Sequence, residues 1–343
     1  MRILHIVHSD AFYGVERYIA TLATAQSSMG DDVAVVGGSP VTMHAELRAQ
    51  GVRFSPGGSL SDLARGLRRF RDADVIHTHM TDAELVAVST RAMLNRTSKV
   101  VTTRHFAQHR GASRIGSLAA PLIAAGLDGQ ISISRFVADR IEGCSTVILP
   151  GVPTPTIPAV EREPSILVAQ RLEKEKSTDV ALRAFAGSGL ADLGWRIRFA
   201  GDGALRTELE SLATTLGVAG SAEFMGRRDD VPQLMASSSI LLASAPAEPF
   251  GLTVVEAMAA GLPVVAAVAG GHAESLPQQE LAHGFEPGDV AVAAASMREL
   301  ASDPALRDAL SEAGRLRHRD LLTPQIQAEQ TRAFYTKVVE ARR

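Results

Sequence analysis

The sequence predicts an α/β protein made of two parallel sheets, each with helices on both faces. Three observations carry this reading. Short apolar runs alternate with stretches of helical spacing along the whole chain. A length of 343 residues suits two domains of ordinary size. Five prolines, Pro150, Pro153, Pro155, Pro158 and Pro164, interrupt the alternation near its middle and mark a linker.

Taken in order, Ile3 to Val7 is a near-continuous apolar run and reads as a central strand. A helix follows from Gly14 through Ala25, with Ile19, Leu22 and Ala23 on one face. Further strands are expected at Val33–Val36, Val52–Phe54, Asp74–His79, Lys99–Thr103, Gly129–Ile133 and Val147–Leu149, with a helix from about Asp82 to Leu94. Ile115, Leu118, Ala119, Leu122 and Ile123 have helical spacing. Beyond the linker, strands are expected at Ser165–Ala169, Arg196–Ala200, Glu223–Gly226, Ile240–Ala243 and after Pro263. Thr323-Pro324 is an N-cap and first-turn pair for a terminal helix that repeats apolar residues at Phe334 and Val338 and at Tyr335 and Val339.

Composition narrows the function. The chain is 45% hydrophobic and 21% charged, a globular balance, and its net charge of −3 gives no reason to expect nucleic acid. Residues 1–155 are slightly basic and the rest acidic, which solvated faces explain as well as an anionic surface does. A lone cysteine, Cys144, rules out an internal disulfide and thiolate metal sites, and fits a reducing cytoplasm. No signal-peptide core or apolar stretch approaching ~18 residues is seen, so no spanning helix is expected.

The most informative stretch runs from Ile240 to Val265. A buried strand gives way to a loop carrying Glu248, and a helix opens after Gly251, contains Glu256 and ends at Gly261. Ligands of open α/β sheets bind at the carboxyl ends of strands. A helix amino end there favours phosphate, and a carboxylate accepts from vicinal hydroxyls. Phosphate plus polyol describes a nucleoside diphosphate sugar. Two solvated glutamates are the plain alternative, and spacing alone does not exclude it.

The residue types go further. Glu248-Pro249-Phe250-Gly251, followed by Glu256-Ala257-Met258-Ala259-Ala260-Gly261-Leu262-Pro263-Val264-Val265, resembles the donor-site signature of glycosyltransferase family 4. The resemblance implies retaining enzymes of the GT-B architecture: two Rossmann-like domains facing a central cleft, with the C-terminal helix crossing back to the first. It extends along most of the chain. Arg171 and Lys176 match the family's diphosphate-binding cations, with Gln170 and Ser177 in place of flanking glycines. Phe224, Met225 and Gly226 match a strand end whose backbone meets the base, and Gly270-Gly271-His272-Ala273-Glu274 matches a family turn. The N-terminal Gly-Gly-x-Glu loop is represented by Tyr13-Gly14-Val15-Glu16, where only Gly14 of the glycine pair remains. Tyr13 resists a positive φ, so either the loop differs in shape or the ring lines the acceptor side. Glu16 also reads as a first-turn carboxylate complementing the helix dipole.

His105, at the end of a strand, matches the histidine placed beside the donor sugar; a buried hydrogen-bonded histidine is the alternative. Arg104 and His109, with Tyr13, are expected on the acceptor side, in a stretch from His105 to Arg114 that includes Gly111. His77 and His79 share a strand face, but no third metal ligand stands at convincing spacing, so both read as structural or cleft residues. Asp72-Ala73-Asp74 precedes a strand and carries little weight as a metal motif.

The expectation is therefore a metal-independent hexosyltransferase without cofactor. Residues 1–153 form the acceptor-side domain, 154–322 the donor-side domain, and 323–343 the returning helix. His105, Arg171, Lys176 and Glu248 are the catalytic set. Gly14, Phe224, Met225, Gly226, Phe250, Gly251, Leu252, Thr253 and Glu256 contact the donor. The partners are a nucleotide-sugar donor and a glycan, lipid-linked or small-molecule acceptor, with the cytoplasm, or the inner face of its membrane, as the setting. A nucleotide-sugar 2-epimerase and a silent nucleotide-sugar-binding module are the rivals. Base, sugar, acceptor and oligomeric state are not written in these motifs.

Overall fold

The computed structural model describes residues 1–93, 97–110, 114–158, 160–281 and 283–341, with backbone alone for 114–119. Gly111 and the side chains of Ile115, Leu118 and Ala119 lie outside the described residues. The chain divides into two compact units, Met1–Gly151 with Thr323–Arg343, and Val152–Leu322.

The first unit holds seven parallel strands: β1 (Arg2–Val7), β2 (Asp32–Val36), β3 (Arg53–Ser55), β4 (Val75–His79), β5 (Lys99–Arg104), β6 (Gly129–Ser132) and β7 (Thr146–Val147). Their order is β3-β2-β1-β4-β5-β6-β7. β3 starts one residue later than its apolar pattern implies. β7 is only two residues long, although the Ile148 amide still donates to the Ser132 carbonyl. After building outward from β1 to β3, the chain returns to β4 on the other side of β1, so strand order reverses between β1 and β4.

Side-chain alternation gives this sheet two different faces. One is mostly apolar: Leu4, Ile6, Ala34, Val36, Ile76 and Val100 pack under Leu63, Leu67, Ala83 and Ala87, on the helices Leu60–Arg69 and Thr81–Met93, and Thr78 and Thr102 follow on the same face. The other begins apolar, where Ile3, Val75 and Val101 meet Tyr335 and Val338 of the terminal helix Pro324–Glu340. Two residues further along the same strands it turns polar, at His5, His77 and Thr103, without becoming exposed. The helix Gly14–Ser28 also covers this face. Val339, expected to repeat with Tyr335, is 42% exposed, while Tyr335 is fully buried. Helical periodicity identified the strip but not which edge of it turns inward.

The second unit holds β8 (Ser165–Ala169), β9 (Arg196–Ala200), β10 (Ala222–Gly226), β11 (Ile240–Ala243) and β12 (Val264–Ala266), ordered β10-β9-β8-β11-β12 and all parallel. Its core combines Ile166, Val168, Ile197, Phe199, Ile240 and Leu242 with Leu182, Phe185, Met297 and Leu300 from the helices Thr178–Ser188 and Val290–Ser302. Order reverses between β8 and β11, so this sheet also has a switch point. Gly261 has φ 65° and closes the helix Leu252–Ala259: its amide donates to the Met258 carbonyl, and that of Leu262 to Ala257.

Candidate functional site

In the second unit the matched residues gather at the switch point. Beyond β8, Gln170 donates to the Lys176 carbonyl (3.1 Å), to Thr178 Oγ1 (2.9 Å) and to Ser244 Oγ beyond β11 (3.2 Å). Ser244 also donates to the Lys176 carbonyl (3.0 Å). Gln170 thus ties together the loops after both strands, a task the matching glycine could not perform. Ser177, in place of the second glycine, has φ 46°. Lys176 is held between these residues, and its ammonium contacts Glu248 Oε1. Both side chains are about four-fifths buried, so the pair is partly shielded from water. Arg171 is exposed and bonds Glu175 (2.6 Å), so its guanidinium lies at the surface, held by a weak partner.

The loop carrying Glu248 rests on the Gly270-Gly271-His272 turn. The Gly271 amide donates to the Glu248 carbonyl (2.8 Å). Side chains at this contact would collide: a Cβ on Gly271 would lie 2.2 Å from Phe250 Cα, and one on Gly251 2.4 Å from His272 Cδ2. Gly251 also has φ 90° and is the N-cap of the helix that begins at Leu252 and Thr253. The Phe250 side chain is buried, so the segment can offer backbone there and no ring. His272 is buried beneath it, bonded through Nδ1 to the Ala267 carbonyl (3.1 Å); burial lowers its pKa, against the pull of nearby Glu248. Glu256 is half-buried in the second turn of the helix. In β10 the Phe224 carbonyl accepts from Arg206 (2.9 Å) and the Gly226 carbonyl from the Gly201 amide (2.9 Å), so two of the expected base-binding groups already have partners.

In the first unit Gly14 opens its helix with Tyr13 as N-cap. Tyr13 has φ −124°, so its side chain imposes no left-handed strain, and it is 64% exposed. Glu16 turns back to accept from the Tyr13 amide (2.8 Å), one half of a capping box. His105 is buried, with Nε2 3.0 Å from His79 Nδ1 and its ring against the edge of Tyr18. Burial lowers its pKa to about 3, so it is a neutral imidazole at physiological pH.

Two expectations are corrected here. Arg104 does not face outward: it is buried, donating to Glu142 Oε1 (2.8 Å) and to the Gln108 carbonyl. It belongs to a network that sequence reading missed, in which Arg110 binds Glu84 (2.6 Å) and Glu142, and Thr102 binds Glu84 (2.6 Å). Burial would raise the Glu142 pKa, but hydrogen bonds and the two arginines win and hold it at about 2. The network spends Arg104 on fixing the loop after His105. His109 stays exposed, with Nδ1 3.2 Å from Glu142.

The second correction concerns a third histidine. His5 pairs in register with His77, and the ligand atoms of His5, His77 and His79 lie within 4.8 Å of one another. Spacing along one strand could not show this, because the third residue comes from the neighbouring strand. These are the described residues best placed to hold a metal, yet their ring nitrogens are already engaged: His5 with Gln26 (2.7 Å) and His79 (3.1 Å), His77 with Tyr335 and Thr103 (2.7 Å), and His79 with His105. Asp72 and Asp74 are bound by Arg2 (3.3 and 2.8 Å) beside a cavity of about 400 Å³ at the amino ends of β1, β4 and β5, the end of the sheet opposite the histidines.

Two parallel sheets, each with its polar groups collected at a switch point, define an α/β protein of the two-domain Rossmann-like class. Two family models match it in succession: Glycosyltransferase Family 4 over residues 12–154 and Glycosyl transferases group 1 over residues 155–317. The chain belongs to the family 4 glycosyltransferases. It is 31% identical over 263 residues to the exopolysaccharide phosphotransferase SCO2592 of Streptomyces coelicolor, a match covering 72% of this chain and 27% of that one. It is 38% identical over 123 residues to the sulfoquinovosyl transferase SQD2 of Arabidopsis thaliana, covering 35% and 24%. These matches therefore span about a quarter of each relative's length. Among solved structures, Anabaena HepE in complex with UDP and glucose superimposes with a TM-score of 0.77 at 20% identity, over 98% of this chain and all of that one, which establishes the GT-B fold.

Proposed function

We propose that the chain is a retaining glycosyltransferase that moves a sugar from a nucleoside diphosphate sugar to an acceptor hydroxyl. The observation that carries this is the Lys176–Glu248 contact beside the helix end at Gly251. It sets a cation for phosphate and a carboxylate for sugar hydroxyls side by side, which is the arrangement a sugar diphosphate requires. Lys176 and Arg171 neutralise charge developing on the leaving diphosphate, an electrostatic term of the kind that dominates such reactions. The backbone of Phe250, Gly251, Leu252 and Thr253 holds phosphate and sugar. Glu256 holds ribose hydroxyls, Gly14 adds a backbone contact to the diphosphate, and Met225 with its neighbours meets the base. His105 contacts the donor sugar, and Tyr13 and His109 serve the acceptor.

No residue is assigned as a covalent nucleophile. In the reading offered here the departing phosphate takes the acceptor's proton on the same face, and the anomeric configuration is kept. The cationic side chains supply the charge that a divalent metal supplies elsewhere. The UDP and glucose bound by HepE support a nucleotide-sugar donor. A glycan, a lipid-linked sugar or a small molecule remains the acceptor class. Among the described residues no helix is long and apolar enough to cross a membrane.

The test is a panel of nucleoside diphosphates and their sugars, read first by thermal shift and then by product analysis. A ligand at a hundred times its Kd stabilises the fold by about 2.7 kcal/mol. The expected product is a glycoside with the donor's anomeric configuration. An epimerised free sugar, or binding without turnover of any donor, would overturn the proposal.

A further inference from the structure

We propose that a hydrogen-bond relay from Gln26 through His5 and His79 fixes the proton on His105, leaving hydrogen on Nε2 and a lone pair on Nδ1. The links are His5 Nε2 to Gln26 Oε1 (2.7 Å), His5 Nδ1 to His79 Nε2 (3.1 Å) and His79 Nδ1 to His105 Nε2 (3.0 Å). Gln26, His5 and His79 are completely buried and His105 nearly so.

The direction follows from what each atom can do. An amide oxygen only accepts, so His5 must carry its hydrogen on Nε2. A neutral ring has one N–H, so His5 Nδ1 accepts and His79 must donate from Nε2. The same step repeated puts the hydrogen of His105 on Nε2, facing His79. Burial keeps all the rings neutral: it lowers the pKa of His5 to about 4 and that of His105 to about 3, and takes His77 and His79 well below the ordinary value.

A second branch is coupled to the orientation of Gln26. Its Nε2 donates to Tyr335 Oη (3.5 Å), Tyr335 bonds His77 Nδ1, and His77 Nε2 reaches Thr103 Oγ1 (2.7 Å). If the amide turned over, every proton in both branches would have to move. The terminal helix therefore takes part in setting the tautomer through Tyr335. Backbone at the relay is also constrained: Met80, directly after His79, has φ 75°, a conformation costly for a side chain of its size. The purpose assigned to the relay rests on the donor-side reading of His105 given above. A lone pair on Nδ1 makes this histidine an acceptor for a sugar hydroxyl, with its ring orientation held from behind. Gln26, His5 and His79 are then positioning residues, without contact to the sugar.

The experiment uses the full chain labelled with ¹⁵N in histidine, whose long-range proton–nitrogen spectra report which ring nitrogen carries hydrogen, with His105→Asn to assign the signal. His105 is expected to carry hydrogen on Nε2. Gln26→Met removes the acceptor that starts the relay, and Tyr335→Phe, a milder change, frees Gln26 to turn. Either is expected to give His105 a mixed tautomer and to lower sugar transfer about ten- to hundredfold, with the donor KM within twofold. A wild-type His105 with hydrogen on Nδ1, or a signal unmoved in both variants, would overturn the relay. A moved tautomer with undiminished transfer would overturn its positioning role. Undiminished transfer by His105→Asn would defeat the donor-side reading of His105 instead, while the tautomer result stood on its own.

Discussion

At the switch point of the second unit, charge is kept within reach of water: Lys176 beside Glu248 and Arg171 at the surface. At the switch point of the first, four neutral histidines are sealed from it. Two sheets of the same class thus prepare the same position in opposite ways. One presents charges that can re-pair with a charged ligand. The other presents a neutral, pre-oriented surface whose order comes from hydrogen bonds behind it. The first keeps part of the hydration of its ions, since Lys176 and Glu248 are about one-fifth exposed and Arg171 lies at the surface. The second makes the fold depend on every histidine staying neutral.

That dependence gives the largest expected effect. In the unfolded chain these histidines take up protons near pH 6.5, whereas in the folded one His5 does so at about 4 and His105 at about 3, with His77 and His79 also well below 6.5. Their contribution is complete above about pH 6.5 and drains as pH falls toward 4, at up to ~1.4 kcal/mol per histidine per pH unit. The two units can be watched separately. The only tryptophan is Trp195, in the core of the second unit, while Tyr13, Tyr18 and Tyr335, the only tyrosines, all lie in the first. Between pH 6.5 and 4.5 the tyrosine signal should lose its denaturant resistance before the tryptophan signal does. Coincident loss, or a flat profile for both, would break the comparison.

Tyr335→Ala removes both the apolar cover over Ile3, Val75 and Val101 and the hydroxyl beside His77. It should cost about 3–5 kcal/mol in chemical denaturation, as large aromatic truncations do. Val339→Ala, on the exposed edge of the same helix, should stay within about 0.5 kcal/mol. Equal costs would mean that the helix packs by its other edge. In the second unit Gly251→Ala forces a side chain into φ 90° and against His272, for about 1–3 kcal/mol and loss of nucleotide-induced thermal shift. An unchanged shift would remove this loop from the donor site. The smallest expected effect is that of chelation: transfer should survive EDTA without loss. Restoration of a lost activity by Mg²⁺ or Mn²⁺ would show that the cations of the second unit do not suffice.

The two regions were also unequally legible in the sequence. The second unit's site is written in near neighbours: the 248–256 stretch and the 171–176 stretch each fall after one strand, and strand-end position together with residue type marks them. The first unit's site is assembled from residues 5, 26, 77, 79, 105 and 335, which meet only through sheet register and two covering helices. Period-two spacing placed His77 and His79 on one face but could not supply His5 from the next strand. Arg104 was misjudged for a related reason: its partners Glu142 and Gln108 are fixed by tertiary packing that residue type does not reveal. Strands of β-branched residues were easy to locate. β7 was not, because an edge strand of two residues has too little pattern to delimit.

The central claim is that Lys176 stabilises a departing diphosphate. Its most direct test is nucleoside diphosphate release from a cognate sugar donor, compared between wild type and Lys176→Ala with melting followed in parallel. Loss of one such donor to developing charge is worth roughly 10²–10³ in turnover. The account predicts a loss of that size with an unchanged melting temperature. Turnover within a few-fold of wild type would contradict it.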